Sequence, residues 1–371
     1  MSERAGGWMR GTRWLLLAVL GIAGCGMGTA GAGDELAGTV WRWLALEGAV
    51  ALEIERPGHY TLEFHGDGRY SARADCNRAN GAYTQEQTGL ILGPAATTLA
   101  ACPPGSHSNR FLGLLGRVSG AQREGSRLVL SLGDDEGSLV FAASRPVVLA
   151  GSSWVVRAVN NGKGGVGSVA LETALDMSFG DDGRVAGSAG CNRYSGSYTV
   201  EGEGLSFGPA AATRRMCAEP ERVMEQESEF LAALGTVASW SVQVERLQLR
   251  TAEGSLALDL VSAVAGTLSL RDAGTLPSGA RVHVALEDVS PADVPAVVIG
   301  EASIPLRDPL PPLLFHVAYD PNDIDPRHSY GIRATIEAAD GQVLYRTTQA
   351  FPVLTRESPT LGVEVTLDPA R

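Results

Sequence analysis

Residues Phe179 to Cys217 read FGDDGRVAGSAGCNRYSGSYTVEGEGLSFGPAAATRRMC, and Phe64 to Cys102 read FHGDGRYSARADCNRANGAYTQEQTGLILGPAATTLAAC. The two stretches align without a gap at an offset of 115, with 20 identities in 39 positions. Repetition on this scale means that one structural unit occurs twice. The shared skeleton is Cys76-Asn77-Arg78, Gly81, Tyr83-Thr84, Gly93-Pro94-Ala95-Ala96, Thr98 and Cys102 in the first copy. In the second it is Cys191-Asn192-Arg193, Gly196, Tyr198-Thr199, Gly208-Pro209-Ala210-Ala211, Thr213 and Cys217. Trp41 and Trp154 open the copies, while Phe111 and Phe230 stand 119 apart, so a few residues were gained after the second cysteine.

Short alternating segments broken by Asp-Gly turns, such as Leu62-Glu63-Phe64 before Asp67-Gly68, predict strands in both copies. One helical stretch follows each second cysteine. In the second copy Met224, Phe230, Leu231 and Leu234 fit an apolar helical stripe, with Glu221, Glu225 and Glu229 among the polar positions. The expected unit is a small α+β domain, an antiparallel sheet packed against one helix.

The pattern Trp, Phe, Asp-Gly, Gly-Cys-Asn, Gly-x-Tyr, Thr and Met-Cys resembles the META domain, the type found in the heat-shock protein HslJ. The second copy fits best, through Gly190-Cys191-Asn192, Gly196, Tyr198 and Thr213-Arg214-Arg215-Met216-Cys217. The first copy has Asp75 in place of the glycine and Leu99-Ala100-Ala101-Cys102 in place of the methionine segment, which weakens a ligand role for it but not its fold. The resemblance implies envelope lipoproteins linked to heat, drug or motility phenotypes, without a defined reaction. Asn77, Gly81, Tyr83, Asn192, Gly196, Tyr198 and Thr213 are its motif positions here.

Four cysteines form two pairs at equal spacing, Cys76 with Cys102 and Cys191 with Cys217. Four cysteines allow three connectivities, and equal spacing in two homologous units favours pairing inside each domain. An exported location permits such disulfides. Free buried cysteines are the competing reading. Metal ligation would need closer spacing and neighbouring histidines. A redox pair would need Cys-x-x-Cys or a thiolate-stabilising setting.

The fifth cysteine, Cys25, ends an N-terminal stretch unlike the rest. Arg4, Arg10 and Arg13 precede an apolar run from Trp14 to Ile22. That run is too short to cross a bilayer, which takes about 20 residues as a helix, and has the length of a signal-peptide core. Ile22-Ala23-Gly24-Cys25 resembles the lipobox of bacterial lipoproteins, in which the cysteine is acylated and the preceding peptide removed. Residues 1–24 are then a signal peptide, Cys25 is the lipidation site, and residues 25–35 are a Gly/Ala-rich tether. Several acyl chains anchor stably, at about 0.8 kcal/mol per buried CH₂. Gly26 replaces the aspartate that commonly holds lipoproteins at the inner membrane, which favours the outer membrane, facing the periplasm.

After Val261 the cysteines stop. Arg281 to Leu286 and Leu314 to Tyr319 alternate cleanly, and Gly331 to Glu337, Val343 to Thr347 and Gly362 to Leu367 continue as strands. No amphipathic helix interrupts them, so an all-β sandwich is expected. Leu276-Pro277, Val282 to Ser290 with its Leu-x-Asp-Val-Ser, Pro312 to Asp320, Ile324-Asp325-Pro326, Tyr330 to Ala334 and Val353-Leu354-Thr355 resemble the YbaY family, related to the lipoprotein chaperones of type III secretion. That resemblance implies a periplasmic domain that binds or chaperones another envelope component. The expected organisation is a first META domain over 36–143, a second over 146–262, and a YbaY-like domain over 263–371.

Composition narrows the function. The net charge of −12 argues against a nucleic-acid partner, which requires a concentrated cationic surface. Lys163 is the only lysine, and Lys163 to Ser168 looks like part of a phosphate loop without the Lys-Ser/Thr at a helix start that such a loop needs. Asp320, Asn322, Asp323 and Asp325 could offer oxygens to Ca²⁺, but an EF-hand's Gly and terminal Glu are missing, and a turn set by Asp, Asn and Pro is favoured. His283 and His316 lie within strand patterns and suggest no ligand set. The sequence offers no catalytic residues, metal or cofactor. It predicts a non-enzymatic, lipid-anchored envelope protein that supports envelope integrity or stress tolerance by binding an envelope protein or cell-wall component. The other class is an enzyme or enzyme inhibitor acting on cell-wall or outer-membrane material. A pocket gathering polar side chains from several loops would favour that class.

Overall fold

A computed structural model describes residues 36–370, apart from 87–88, 134–135, 171, 273–275, 291–294 and 307–312. The signal segment, Cys25 and the whole tether lie outside the described residues.

Each copy of the repeat forms a ten-stranded antiparallel sheet that closes on itself. In the first, the last strand, Ser138–Ala143, pairs back on the opening strand, Val40–Glu47, placing Trp43 opposite Phe141. In the second, Leu256–Val261 pairs back on Ser153–Asn160, placing Val156 opposite Leu260. Closure removes most of the exposed edge that an open sheet would leave for aggregation. Alternation decides what lies inside. Tyr60, Leu62 and Phe64 are buried on one strand, with Thr61 and Glu63 facing outward between them.

One helix plugs each barrel. Helix α1, Ser108–Leu115, buries Phe111, Leu114 and Leu115, and Phe111 stacks on Trp43 at 4.9 Å between ring centroids. Helix α2, Val223–Leu234, buries Phe230 edge-on to Tyr194 at 5.2 Å. Each fully buried aromatic or Leu side chain adds about 1.5–3 kcal/mol. The helical stripe differs from its expected composition. Met224 and Leu231 are half-buried, and the buried line is Val223, Glu227, Phe230, Ala233 and Leu234. A carboxylate therefore sits in the stripe.

The C-terminal part is all-β but is not two separate sheets. Its eight strands form one folded sheet, because Val343–Arg346 pairs with Val363–Pro369 and links the halves. Two-residue alternation reads the same in a sandwich and in a folded sheet, so the sequence pattern could not separate them. The sheet ends on Val297–Pro305 and Leu313–Ala318. These ends come close at Gly300, where a Cβ would lie 2.3 Å from the Ala318 carbonyl oxygen. Three cores result, one per domain, built from Leu36 to Phe141, Leu149 to Leu260 and Val264 to Leu367.

Candidate binding cleft at the junction of three domains

The repeat motif lies in and around one bonded network per copy. Cys76 is bonded to Cys102 and Cys191 to Cys217, with Cα atoms 5.4 Å and 5.9 Å apart. Beside each bridge an asparagine is buried. Asn77 Oδ1 accepts from Thr98 Oγ1 at 3.0 Å and from the Ala100 backbone N–H at 2.8 Å. Asn192 Oδ1 accepts from Thr213 Oγ1 and the Arg215 N–H, both at 2.7 Å. The asparagine thus replaces strand pairing for the loop that carries the second cysteine. Its amide also donates to the helix, reaching Ser108 Oγ at 3.1 Å in the first copy and Glu227 Oε1 at 2.8 Å in the second.

The remaining motif positions are packing positions. Tyr83 packs edge-on to Phe64 and donates to the His65 carbonyl; Tyr198 packs edge-on to Phe179 and donates to the Gly180 carbonyl. A Cβ on Gly81 would lie 2.6 Å from the Tyr70 ring, whereas Gly196 has ordinary clearance. At the position where the copies differ, Asp75 has φ 55° and Gly190 has φ 108°. Both are left-handed, but only the first value is open to a side chain. Asp75 is held there by its N–H bond to the His59 carbonyl at 2.7 Å and by the His59 ring at 3.1 Å. Its side chain's burial raises its pKa, but hydrogen bonds from Ser106 and His59 outweigh this and leave it lowered.

Where the domains meet, the chemistry changes. Arg42 of the first repeat donates to Asp323 Oδ1 at 2.7 Å and lies 3.5 Å from Asp320 Oδ2. Arg145, in the segment between the repeats, sends one guanidinium nitrogen to the carbonyls of Pro321, Asn322 and Ile324. Its backbone N–H donates to Asn322 Oδ1 at 2.7 Å. Burial and the neighbouring Asp320 carboxylate push the Asp323 pKa up, against the pull of Arg42. The acidic run at 320–325 is thus a turn that receives two arginines. Among the described residues, no group of three or more His, Cys, Asp and Glu is placed to hold a metal.

The second repeat completes the junction. Gly58 lies between domains, so that an added Cβ would sit 2.1 Å from Asp320 Oδ2 and 2.7 Å from Val244 Cγ1. Val244 occupies the first loop position of the Gln243–Arg246 hairpin with φ 58°. Its counterpart in the first repeat is Gly125, with φ 61°. Valine is a poor residue for that conformation, being β-branched. The copy that departs from glycine is the one whose turn is packed against another domain.

These contacts wall a cleft of about 1090 Å³. Its first wall is the outer sheet face of the first repeat, bearing Glu63, His65, Ser71, Arg73, Arg78 and Asn80. Its second wall is the Trp240 to Val244 hairpin of the second repeat, and Asn322 reaches in from the third domain. Five arginines (Arg42, Arg73, Arg78, Arg123 and Arg145) line it against two glutamates, Glu63 and Glu203. Arg73 lies 3.7 Å from Glu245 across the repeats, and Arg123 lies over the Trp41 ring at 5.2 Å. Within the cleft, His65 Nε2 is 2.9 Å from Ser71 Oγ, and His65 Nδ1 is 3.9 Å from Glu63 Oε1. A nucleophile, base and carboxylate stand in order there. Glu63 and His65 are 38% and 41% exposed, so solvent rather than packing surrounds the base.

The other sequence signals fall outside this cleft. Lys163 lies in a loop where Asn161 Oδ1 accepts from the N–H groups of Lys163 and Gly165. Burial, with Arg157 nearby, pushes the His316 pKa down. His283 faces Glu337 at 3.7 Å on the third sheet.

Comparison with known families matches the META domain to residues 34–145 and 147–263. The chain belongs to the META domain family, in which it carries two tandem domains. Residues 260–365 match the type III secretion system lipoprotein chaperone (YscW) family, so the C-terminal domain is YscW-like. Comparison with curated proteins gives no match. Among solved structures, the chain is similar to an alternative pilotin from the type II secretion system of Vibrio cholerae. Identity is 34%, over 29% of this chain and 96% of that one, with a TM-score of 0.28. It is also similar to a protein from Burkholderia xenovorans, at 26% identity over 31% of this chain and 88% of that one, with a TM-score of 0.27. Among the described residues, no helix is long and apolar enough to cross a membrane.

Sequence reasoning missed Arg42, Gly58, Arg145, Glu227 and Val244. Two had a readable signal: at the offset of 119, Glu227 stands where the first copy has Ser108, and Val244 where it has Gly125.

Proposed function

We propose that the protein is a cell-envelope lipoprotein, anchored through Cys25 at the outer membrane and facing the periplasm, that binds or chaperones another envelope component in the three-domain cleft. The observation that carries this reading is the cleft itself. Its walls come from different domains, and its polar lining, the Arg78 side chain apart, is distinct from the motif residues that hold each barrel together. The YscW-like domain supports it, because that family is described as lipoprotein chaperones. Such a role accords with tolerance of envelope stress.

The test is a photo-crosslinking residue at Ser241 in the cleft wall, used in living cells, compared with one at Asp340 on the third domain. Recovery of a discrete adduct from the cleft position alone is the expected result. Adducts at neither position, with survival of heat, detergent and hydrophobic drugs unchanged on gene deletion, would sink the reading.

One observation favours the second class, an enzyme acting on cell-wall or outer-membrane material. The cleft gathers polar groups from several loops, and Ser71, His65 and Glu63 stand in the order a nucleophile site needs. The binding reading is preferred because a working base is held in orientation by its carboxylate, and here that pair is well exposed and 3.9 Å apart. Labelling of Ser71 by a fluorophosphonate, lost in His65→Ala, would reverse the preference.

A further inference from the structure

The cleft has a feature that narrows what it can hold. The strand Val237–Gln243 pairs fully with Arg246–Thr251 on one side. On its other side it pairs with Gly204–Phe207 only at Ser239, opposite Gly204, and the Trp240 N–H donates to the Glu203 carbonyl at 3.0 Å. From Ser241 to Gln243 that side meets no further strand among the described residues. Glu203 lines the cleft together with Trp240 to Val244, so the unpaired side is the one bordering the cleft. Val242 therefore offers its N–H and C=O into it.

A strand edge with unsatisfied main-chain groups accepts another strand. Side chains across the groove then set which one. Across this groove stand Arg73, Arg78 and Arg123, with Arg78 exposed and in no ion pair with a described residue. Arg42 and Arg73 already face Asp323 and Glu245, and Arg145 the carbonyls of the third domain, so Arg78 is the cation that this wall leaves for an acidic partner. The cleft of about 1090 Å³ is walled by more than one domain, and an extended segment pairing with the open edge touches both walls.

We propose that the edge left open at Ser241–Gln243 adds an extended, acidic peptide segment of another protein as a further strand, with a carboxylate of that segment meeting Arg78. This rests on the cleft being the binding site, as proposed above, and specifies the partner's chemistry. The probe is a synthetic peptide of about eight residues alternating Glu and Val, titrated against the full-length protein in detergent. A Lys/Val peptide and two Glu/Val peptides, N-methylated at alternate residues in one register or the other, serve as controls.

Saturable binding of the acidic peptide alone is expected. Arg78→Glu should weaken it about tenfold or more, the loss of one charge-assisted bond with added repulsion. N-methylation in the register that blocks pairing should weaken it similarly, and the other register should not. Arg78 is exposed, so unchanged circular dichroism of the Arg78→Glu protein shows that the fold is intact. Equal binding of the acidic and basic peptides, or indifference to both N-methylated registers, would overturn the proposal. No peptide binding together with a Ser241 crosslink would overturn it while leaving the cleft as a binding site. No peptide binding and no crosslink would remove both.

Discussion

Asn192 and Glu227 are joined twice: the Asn192 backbone N–H donates to Glu227 Oε2 at 2.7 Å, and its side-chain amide donates to Oε1 at 2.8 Å. Both residues are buried, and the asparagine's oxygen holds the loop of Cys217. Glu227→Ala leaves the Asn192 backbone N–H and one of its two amide hydrogens without partners, the other amide hydrogen keeping the Arg215 carbonyl at 3.0 Å. It should destabilise the second repeat by about 2–4 kcal/mol. Ser108→Ala, the matching change in the first repeat, removes a single neutral bond and should cost about 1 kcal/mol. Denaturant unfolding followed by tryptophan fluorescence, which reports Trp154 and Trp240 in the second repeat, checks the ratio. Equal losses would show that the carboxylate adds nothing beyond the hydroxyl.

The two disulfides should each contribute about 3.5 kcal/mol in the loop-entropy description, since each spans 26 residues. Alkylation without reduction should leave the mass of Cys76, Cys102, Cys191 and Cys217 unmodified. Reduction should lower the unfolding midpoint of both repeats and leave the third domain, which has no cysteine, unchanged. Four alkylated thiols before reduction would contradict the bonding.

Much of this architecture was legible in the sequence, for physical reasons that differ by element. The repeat was visible because the residues that bury loop ends and bridge strands, Asn77 with Thr98 and Asn192 with Thr213, tolerate few substitutes and recur in register. The strand pattern of the third domain was visible, but not its single folded sheet, because closure depends on register between distant strands such as Tyr345 and Pro369. The cleft was not visible at all. Arg42 and Asp323 are 281 positions apart, and each alone reads as an ordinary surface charge. Glu227 was hidden by a helix whose other glutamates are solvated.

Asp288, in the Leu-x-Asp-Val-Ser stretch, should make the third domain acid-sensitive. It accepts from the Ser290 N–H at 2.9 Å and meets His328 Nδ1 at 2.6 Å. Burial raises its pKa, but the Ser290 backbone and His328 outweigh this and hold it below the ordinary value. A carboxyl lowered on folding contributes stability above its unfolded pKa, about 3.9, and loses it as pH falls through the lower folded value. The third domain should therefore weaken below about pH 4. Asp288→Asn should be less stable at neutral pH and show a flatter dependence in that window. Hydrogen exchange of the Arg281–Asp288 strand against pH reads this directly, and parallel pH curves for the two proteins would refute it.

The junction of the three domains makes opposite demands on Val244 and Gly58. Val244 holds φ 58° where the first repeat has Gly125 at φ 61° with nothing within 4 Å of an added Cβ. Gly125→Ala, whose Cβ meets nothing within 4 Å, should therefore show the bare backbone cost of about 1–2 kcal/mol. Val244→Gly should relieve that cost within the second repeat, yet lose the side chain that packs beside Gly58. Its unfolding midpoint should hold or rise while the domains separate more readily. Gly58→Ala acts from the other side, since its methyl would meet Asp320 Oδ2 and Val244 Cγ1 well inside contact distance. It should displace Asp320 and weaken the hold on Arg42 and Arg145. Faster proteolysis at residues 144–147 and a larger radius of gyration in X-ray scattering are the expected readouts for both variants. If Gly58→Ala leaves the scattering curve and the cleavage rate unchanged, the domains are not held together at this point, and the cleft between them loses its fixed walls.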